Sequence, residues 1–161
     1  MDGNQKVLEK EIDLIQNCIN RMAQNSFVVK GWLITLVTVV LALLPDKINI
    51  DILCAVVMTA TITFWYLDAF FLKMEKLYRW KYEWVICNRM ISDEYKYDLN
   101  PHNKKMWLNS NNEKDVKSPS IIRIMFTKTL IPLYGFILVL AALILLNAHC
   151  EIISIVDVSI S

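Results

Sequence analysis

Two ionisable side chains, Lys30 and Asp68, lie in stretches of sequence that are otherwise apolar. A charge at the depth of lipid acyl chains is costly, so such residues usually pair with one another or mark an ion path. Asp68 has a short side chain that cannot reach far toward water. Lys30 has a long side chain, and snorkelling to the lipid headgroups is an alternative to pairing for it. We predict that Lys30 and Asp68 pair, either within one chain or between neighbouring subunits.

The elements that must position these charges are three apolar segments, 27–44, 52–72 and 129–149. Each approaches the length of about 20 apolar residues that a helix needs to cross a hydrocarbon core roughly 30 Å thick. Hydrophobic residues make up 55% of the 161-residue chain, which has only three glycines and four prolines, and this balance is typical of long helices. The sequence therefore predicts an all-α membrane protein with three transmembrane helices.

The two charges fall at nearly the same depth in these segments. Counted from the outer ends at Leu44 and Ile52, Lys30 lies about 21 Å and Asp68 about 24 Å into the membrane, at a rise of about 1.5 Å per residue. Tyr134 falls at a similar level in the third segment, and its hydroxyl could bond the carboxylate. An interfacial aromatic belt is the commoner use of a tyrosine at this level. We interpret Asp68, Lys30 and Tyr134 as an intramembrane pairing site and a candidate gate.

The second apolar segment is rich in small and hydroxyl side chains. Such residues let another helix approach closely and form hydrogen bonds between spans. Lining a pore is the less common alternative. The residues concerned are Ala55, Thr59, Ala60, Thr61 and Thr63.

Both of the first two helices are expected to extend beyond the membrane. No glycine or proline occurs between Ile52 and Ile91, so the second helix should continue as a cytoplasmic stalk. No proline interrupts the N-terminal helix before the first apolar segment, so this helix should run directly into the first span. The β-branched C-terminal tail favours a short extracytoplasmic strand beside residues 48–50. The predicted regions are a cytoplasmic amphipathic helix (1–26), a two-span transmembrane hairpin (27–72), a cytoplasmic stalk helix and polar loop (73–120), a third transmembrane helix (121–149) and an extracytoplasmic tail (150–161).

The basic residues predict the orientation of these helices. Sixteen of the seventeen Lys and Arg residues lie in residues 1–30 or 73–128. Basic side chains near the ends of membrane spans favour the cytoplasmic side. We therefore expect a protein of the cell inner membrane with a cytoplasmic N-terminus and an extracytoplasmic C-terminus.

The N-terminal region carries a stripe of apolar residues spaced alternately four and three apart. This heptad spacing is the seam that one helix offers to another. Packing against the chain's own second helix and packing between subunits of a homo-oligomer are equally supported. The stripe consists of Leu8, Ile12, Ile15, Ile19 and Met22.

Residues 73–128 hold twelve basic side chains against seven acidic ones, interleaved with aromatic residues. Charge and stacking together could bind an anionic ligand such as a nucleotide or an oligonucleotide, and the same surface could bind a cytoplasmic regulatory protein. The commoner alternative is that these residues only fix the topology and contact the phosphates of membrane lipids. The candidate binding residues are Lys73, Lys76, Arg79, Lys81, Arg89 and Trp84.

Enzyme chemistry finds little support in the sequence. His102 and His149 have no neighbouring nucleophile or carboxylate in a catalytic pattern. The four cysteines form neither a CxxC motif nor a Cys/His cluster, and no glycine-rich phosphate loop is present. We expect a protein that is not an enzyme, with neither a metal site nor a cofactor.

Two stretches carry a resemblance to known proteins: the N-terminal helix EKEIDLIQNCINRMAQNSF (9–27) and the helix FWYLDAFFLKMEKLYRWKYEWV (64–85) that leaves the second span. Their layout, which covers most of the chain, resembles small bacterial membrane effectors of antiphage defence, the SLATT-like proteins and, more closely, the channel-forming effector of Hailong systems. The third span departs from a plain two-span effector, and the resemblance assigns no role to an individual residue. It implies an oligomeric channel, held closed by its cytoplasmic helices or a partner, that opens on infection and depolarises the membrane.

A non-conducting membrane scaffold is the alternative function. In that case residues 73–120 would recruit a cytoplasmic partner, and the three spans would serve only as an anchor. An ion-flux measurement separates this function from that of a channel.

Overall fold

A computed structural model describes residues 3–42, 49–108 and 117–150 of the chain. Over these residues the regular structure is entirely helical, as predicted. The helices are α1 (Gly3–Ala42), α2 (Ile50–Asn88), a short 3-10 turn (Lys104–Met106), α3 (Ile121–Met125) and α4 (Ile131–Cys150). The predicted strand pairs residues 48–50 with the tail; of these, residues 48 and 151–161 lie outside the described residues, and Ile50 begins α2.

Three of these helices, α1, α2 and α4, are long and apolar enough to cross a membrane, as expected of a multi-pass membrane protein. The prediction that the first two helices continue without a break is confirmed, since α1 has 40 residues and α2 has 39. At about 1.5 Å per residue, each is about 60 Å long, which is twice the thickness of a hydrocarbon core. Each therefore has a half that extends beyond its apolar span.

Helices α1 and α2 form an antiparallel hairpin along their whole length. Glu11 near the start of α1 contacts Arg89 just beyond the end of α2, whereas Lys30 contacts Asp68 farther along the hairpin. Helix α4 packs antiparallel to α2, because Tyr134 meets Asp68 and the imidazole of His149 lies 3.7 Å from the carboxylate of Asp51. The three long helices thus share one core, which is built from their apolar segments.

The region predicted as the third transmembrane helix, 121–149, holds two helices instead of one. Helix α3 ends at Met125, and α4 begins at Ile131. A continuous helix would press the ring of Pro132 against the carbonyl group of Lys128 and leave that carbonyl without its hydrogen bond. Pro132 instead lies in the first turn of α4, where the missing N–H group is not needed.

The loop after α2 returns to pack on that helix. Met106, Trp107 and Leu108 are buried, and the indole of Trp107 lies 5.7 Å from the indole of Trp80. The backbone N–H of Leu108 donates to the carbonyl of Trp80 at 3.3 Å. The extended half of α2 is therefore covered by α1 on one side and by this apolar loop on another.

Candidate functional site

The side chain of Asp68 lies at the centre of a polar network within the apolar half of the helix hairpin. It is fully buried, and its carboxylate oxygen Oδ2 lies 2.7 Å from the Nζ atom of Lys30. The hydroxyl of Tyr134 donates to the same oxygen at 2.9 Å. The hydroxyl of Ser26 donates to the other oxygen, Oδ1, and accepts a hydrogen bond from Lys30 Nζ at 2.8 Å. Donors from α1 and α4 thus meet one acceptor on α2.

The predicted pairing of Lys30 with Asp68 is confirmed, and it occurs within one chain. The structure also contains the hydrogen bond from Tyr134 to Asp68, which was the less common of the two alternatives for that residue. Sequence reasoning missed Ser26, because a serine in a helix usually bonds its own backbone. Its position four residues before Lys30, on the same face of α1, is the signal that could have found it.

Aromatic side chains fix the position of Tyr134. Its ring stacks parallel to the indole of Trp65, with ring centres 5.7 Å apart. The indole N–H of Trp65 in turn donates to the carbonyl of Met125 at 2.9 Å, and Phe126 meets the same indole edge-on at 5.4 Å. Trp65 and Tyr134 are thus buried in the core between the helices and do not face outward from it.

The network is asymmetric in its access to solvent or lipid. The side chain of Lys30 is 28% exposed, whereas that of Asp68 is 0% exposed. Removing one partner of a buried pair leaves an uncompensated charge, which is strongly destabilising. Asp68 depends on donors from two other helices, so the network couples the positions of α1, α2 and α4.

A second buried ion pair joins the start of α1 to the end of α2, at the open end of the hairpin. The guanidinium of Arg89 donates to both oxygens of Glu11, and both side chains are at most 3% exposed. Arg89 also donates to the carbonyls of Ser92 and Glu94, at 2.8 Å and 2.9 Å, and the backbone N–H of Tyr97 donates to Glu11 at 2.6 Å. This cluster anchors the loop after α2. Arg89 is therefore not accessible to a ligand, contrary to its prediction as a binding residue.

Lys81 is buried as well, which also removes it from the set of accessible binding residues. Its ammonium lies 3.3 Å from the carboxylate of Asp98 and donates to the carbonyl of Asn100 at 2.9 Å. Burial lowers the pKa of Lys81, although the nearby Asp98 opposes that shift. Desolvation works to raise the pKa of Asp98, but hydrogen bonds from Asn103 and Asn100, together with Lys81, outweigh it and hold this pKa below its usual value.

The other predicted binding residues lie nearer the surface. Arg79 is exposed and pairs with Glu75 at 2.7 Å, and the ammonium of Lys76 lies 5.5 Å from the ring centre of Trp80. Lys73 is half-buried, and Trp84 is half-buried against Arg89 and Tyr95. An open groove between α1 and α2 runs past the accessible cations. It is lined by Gln16, Asn20, Lys76, Arg79, Tyr82 and Glu83, among others.

The heptad stripe of α1 packs within the chain. Ile15 is 1% exposed and lies in a cluster with Tyr78, Val85 and Met106, so in this conformation it is not available to another subunit. The other stripe residues are half-buried. Leu8, Ile19 and Met22 pack against that cluster, and Ile12 lies beside them on α1. Of the two alternatives, the structure contains the packing against the chain's own second helix, and a role between subunits stays a prediction.

Nucleophilic and metal-binding groups are scattered over the part of the chain that the structure describes. Cys18 is half-buried, Cys54 is buried, Cys87 is exposed, and all three are free thiols. No group of three or more His, Cys, Asp or Glu side chains is placed to hold a metal ion among the described residues. The Asp68 network is therefore the cluster whose chemistry the fold most clearly builds.

Comparison of the chain with models of known families, with curated protein sequences and with solved structures gives no match.

Proposed function

We propose that this protein is a subunit of an oligomeric integral-membrane effector that forms a gated ion channel or pore and depolarises the membrane. The observation that carries the proposal is the Asp68 network, in which one buried carboxylate receives donors from both other long helices. A charged site at membrane depth is a functional candidate by default, because apolar residues would anchor a protein at lower cost.

The network has the properties of a switch. It is satisfied only when α1, α2 and α4 are together, since Lys30, Ser26 and Tyr134 supply the donors to Asp68. Moving one helix leaves a buried charge without its partner, so intermediate positions are disfavoured and two discrete arrangements are expected. The described arrangement corresponds to the closed state in this proposal.

An ion path in this proposal lies between subunits rather than within one. The space between the three helices is filled by apolar and aromatic side chains, among them Leu33, Trp65 and Ile137. One face of α2 instead offers small residues outward, and a shallow groove runs along Ala55, Thr59 and Thr63. Small side chains let the helix of a second copy approach closely. We place the contact between subunits of a homo-oligomer at this face.

We propose the orientation of the helices in the membrane that the distribution of basic residues favours. The N-terminus and the region 73–128 lie on the cytoplasmic side of the inner membrane, and the C-terminus lies outside. A role in antiphage defence is supported by the resemblance in layout and by the consequence of the activity, because an opened channel stops growth of the host cell. The groove beside Lys76 and Arg79 is where a cytoplasmic regulatory protein or a nucleotide would bind.

The test is ion flux in vesicles. Purified protein is reconstituted into phosphatidylcholine/phosphatidylglycerol vesicles with a potassium gradient and a potential-sensitive dye. Asp68→Asn should raise the basal ion flux at least several-fold over the wild type, because it removes the charge that holds Lys30. Asp51→Asn, at the partly exposed start of α2, is the matched control and should leave the flux unchanged.

A non-conducting scaffold is the second candidate function, and the folded region beyond the spans favours it. The buried pairs of Arg89 and Lys81 make this region a defined surface, and the adjacent groove is open to a partner. If neither the wild type nor Asp68→Asn passes ions at any applied potential, the channel is excluded and the scaffold stands. A mass measurement in detergent adds a second criterion, because a strict monomer cannot enclose a central pore.

A further inference from the structure

The segment that leads into the last span, residues 117–130, has an unusual charge pattern. It carries Lys117, Arg123 and Lys128, and no Asp or Glu occurs between residue 117 and residue 150. Arg123 and Lys128 are exposed, and neither forms an ion pair with any residue that the structure describes. The segment is therefore a source of positive charge that the described part of the protein does not neutralise.

Contacts with α2 place this segment at membrane depth. The carbonyl of Met125 and the ring of Phe126 both contact Trp65. Trp65 lies 13 residues after Ile52, or about 20 Å from the outer end of its span, in a hydrocarbon core about 30 Å thick. The end of α3 thus lies roughly 10 Å inside the boundary on the side of Asp68, although α4 begins only at Ile131.

Helix α3 has one face toward the protein and one face away from it. Ile121, Ile124 and Met125 pack against the core that contains Trp65 and Tyr134. Ile122 and Phe126, four residues apart on the outward face, are 67% and 62% exposed. Arg123 lies between them in sequence, and Lys128 follows in the turn. An apolar face flanked by cations is the pattern of a helix that lies in a membrane interface.

We propose that residues 117–130 form a half-embedded interfacial segment that binds anionic phospholipid headgroups. Ile122 and Phe126 lie among the acyl chains, and the side chains of Arg123 and Lys128 extend to the phosphates. An anionic lipid is the occupant that the charges favour, because Arg123 and Lys128 have no carboxylate partner among the described residues and long cationic side chains reach the headgroups from within the acyl layer.

Binding of anionic lipid does not require ion conduction. It would nevertheless affect the Asp68 network through a chain of contacts. Phe126 contacts Trp65, Trp65 stacks on Tyr134, and Tyr134 donates to Asp68. A lipid that holds α3 in place therefore also holds the donor that α4 supplies to Asp68. Loss of anionic lipid is expected to loosen that donor.

The first experiment measures lipid selectivity by electron spin resonance. The full chain is reconstituted into phosphatidylcholine vesicles that contain a trace of spin-labelled phosphatidylglycerol or spin-labelled phosphatidylcholine. The wild type should immobilise the anionic label preferentially. Because a cation near an anionic surface strengthens binding about fivefold, the double variant Arg123→Gln/Lys128→Gln should lose at least about fivefold of that preference. Lys104→Gln/Lys105→Gln, two exposed cations of the loop, should keep it.

A charge-conserving variant separates the effect of charge from misfolding. The variant Arg123→Lys/Lys128→Arg should retain the preference. Equal immobilisation of both labels by the wild type, or equal loss in the loop control, would overturn the headgroup assignment.

The second experiment tests depth with a photo-crosslinking residue at position 122. Adducts with phospholipid are expected in vesicles, and a probe at position 104 should give none. Adducts with a second copy of the chain, or no adducts at position 122, contradict the proposal because another occupant or water would then cover this face.

Discussion

The chain joins α1 to α2 with two buried ion pairs, and the two pairs differ in how they are built. Glu11 with Arg89 closes the extended end of the hairpin, and Lys30 with Asp68 joins it at membrane depth. Between Glu11 and Lys30, α1 runs for 19 residues, or about 28 Å. The same two helices are therefore held together at two distant levels.

The difference lies in what surrounds each pair. Arg89 and Glu11 also bond backbone groups of the loop after α2, so this pair is enclosed within one folded region. Asp68 instead receives its further donors from α1 and α4, and Lys30 is partly exposed. The first pair is enclosed by its own loop, whereas the second joins three helices, and in the proposed function it is the contact at which those helices separate. We therefore expect stability to depend most on Glu11 and activity to depend most on Asp68.

The largest effect on stability is expected for Glu11→Gln. The substitution leaves the guanidinium of Arg89 buried without its counter-charge, which costs about 3–5 kcal/mol. Denaturant unfolding of the protein in detergent, followed by tryptophan fluorescence, measures the loss. Glu9→Gln, at an exposed position two residues earlier, is the control and should change the free energy of unfolding by less than about 0.5 kcal/mol. If both variants changed the free energy of unfolding by a similarly small amount, the pair of Glu11 and Arg89 would not stabilise the hairpin.

The next largest effect is a difference between Lys30 and Asp68 in the free energy of unfolding that is lost when each is replaced. Lys30→Met leaves a fully buried carboxylate and should cost about 3 kcal/mol. Asp68→Asn should cost less, because the long side chain of Lys30 can move toward the headgroups. The double variant should recover at least half of the larger loss. Strictly additive losses in this cycle would contradict direct pairing.

A smaller effect is expected for Tyr134→Phe. It removes one hydrogen bond to a charged group, worth about 2 kcal/mol, and preserves the stacking on Trp65. Thermal unfolding in detergent measures the change. Tyr66→Phe removes the same hydroxyl from a half-exposed ring and serves as the control. Equal shifts of the unfolding temperature in the two variants would mean that the hydrogen bond from Tyr134 to Asp68 does not contribute to stability.

The smallest effect is a dependence of the local stability of the loop after α2 on pH. The pKa of Asp98 is held below its usual value, so its contribution to stability is present above about pH 4 and is lost as the pH falls through its lowered value. The protection of residues 97–103 against hydrogen exchange, measured relative to the intrinsic exchange rate at each pH, should therefore fall in acid. In Asp98→Asn this pH dependence should be weaker. An unchanged profile in the variant would assign the effect to another group.

The intramembrane site could be predicted from the sequence because its residues contrast with their surroundings. Lys30 and Asp68 are charges in apolar runs, and helical rise alone places them at one level. The two long continuous helices could be predicted as well, since no proline lies within the first and neither glycine nor proline lies between Ile52 and Ile91 in the second. These features depend on local sequence and on length.

The second ion pair and the end of the third span could not be predicted in the same way. Glu11 is one of sixteen acidic residues and Arg89 one of seventeen basic ones, so nothing local marks them as partners. Their burial follows from the return of the loop around Tyr97, where Tyr95 and Tyr97 adopt positive φ angles of 56° and 57°. Pro132 is a local signal for the break before Ile131 that the prediction of one helix over 121–149 did not use, and the packing of α3 on Trp65 depends on tertiary contacts.

If the Asp68 network holds a channel closed, as proposed, substitutions in the network should raise the basal ion flux. Wild type, Asp68→Asn, Tyr134→Phe and Glu11→Gln are compared in one batch of vesicles at equal protein content. We expect the basal flux to rise most in Asp68→Asn, less in Tyr134→Phe and least in Glu11→Gln, although Glu11→Gln is the least stable of the three. If the basal flux is the same in all four proteins, or rises in the order of their loss of stability, the Asp68 network does not hold a channel closed.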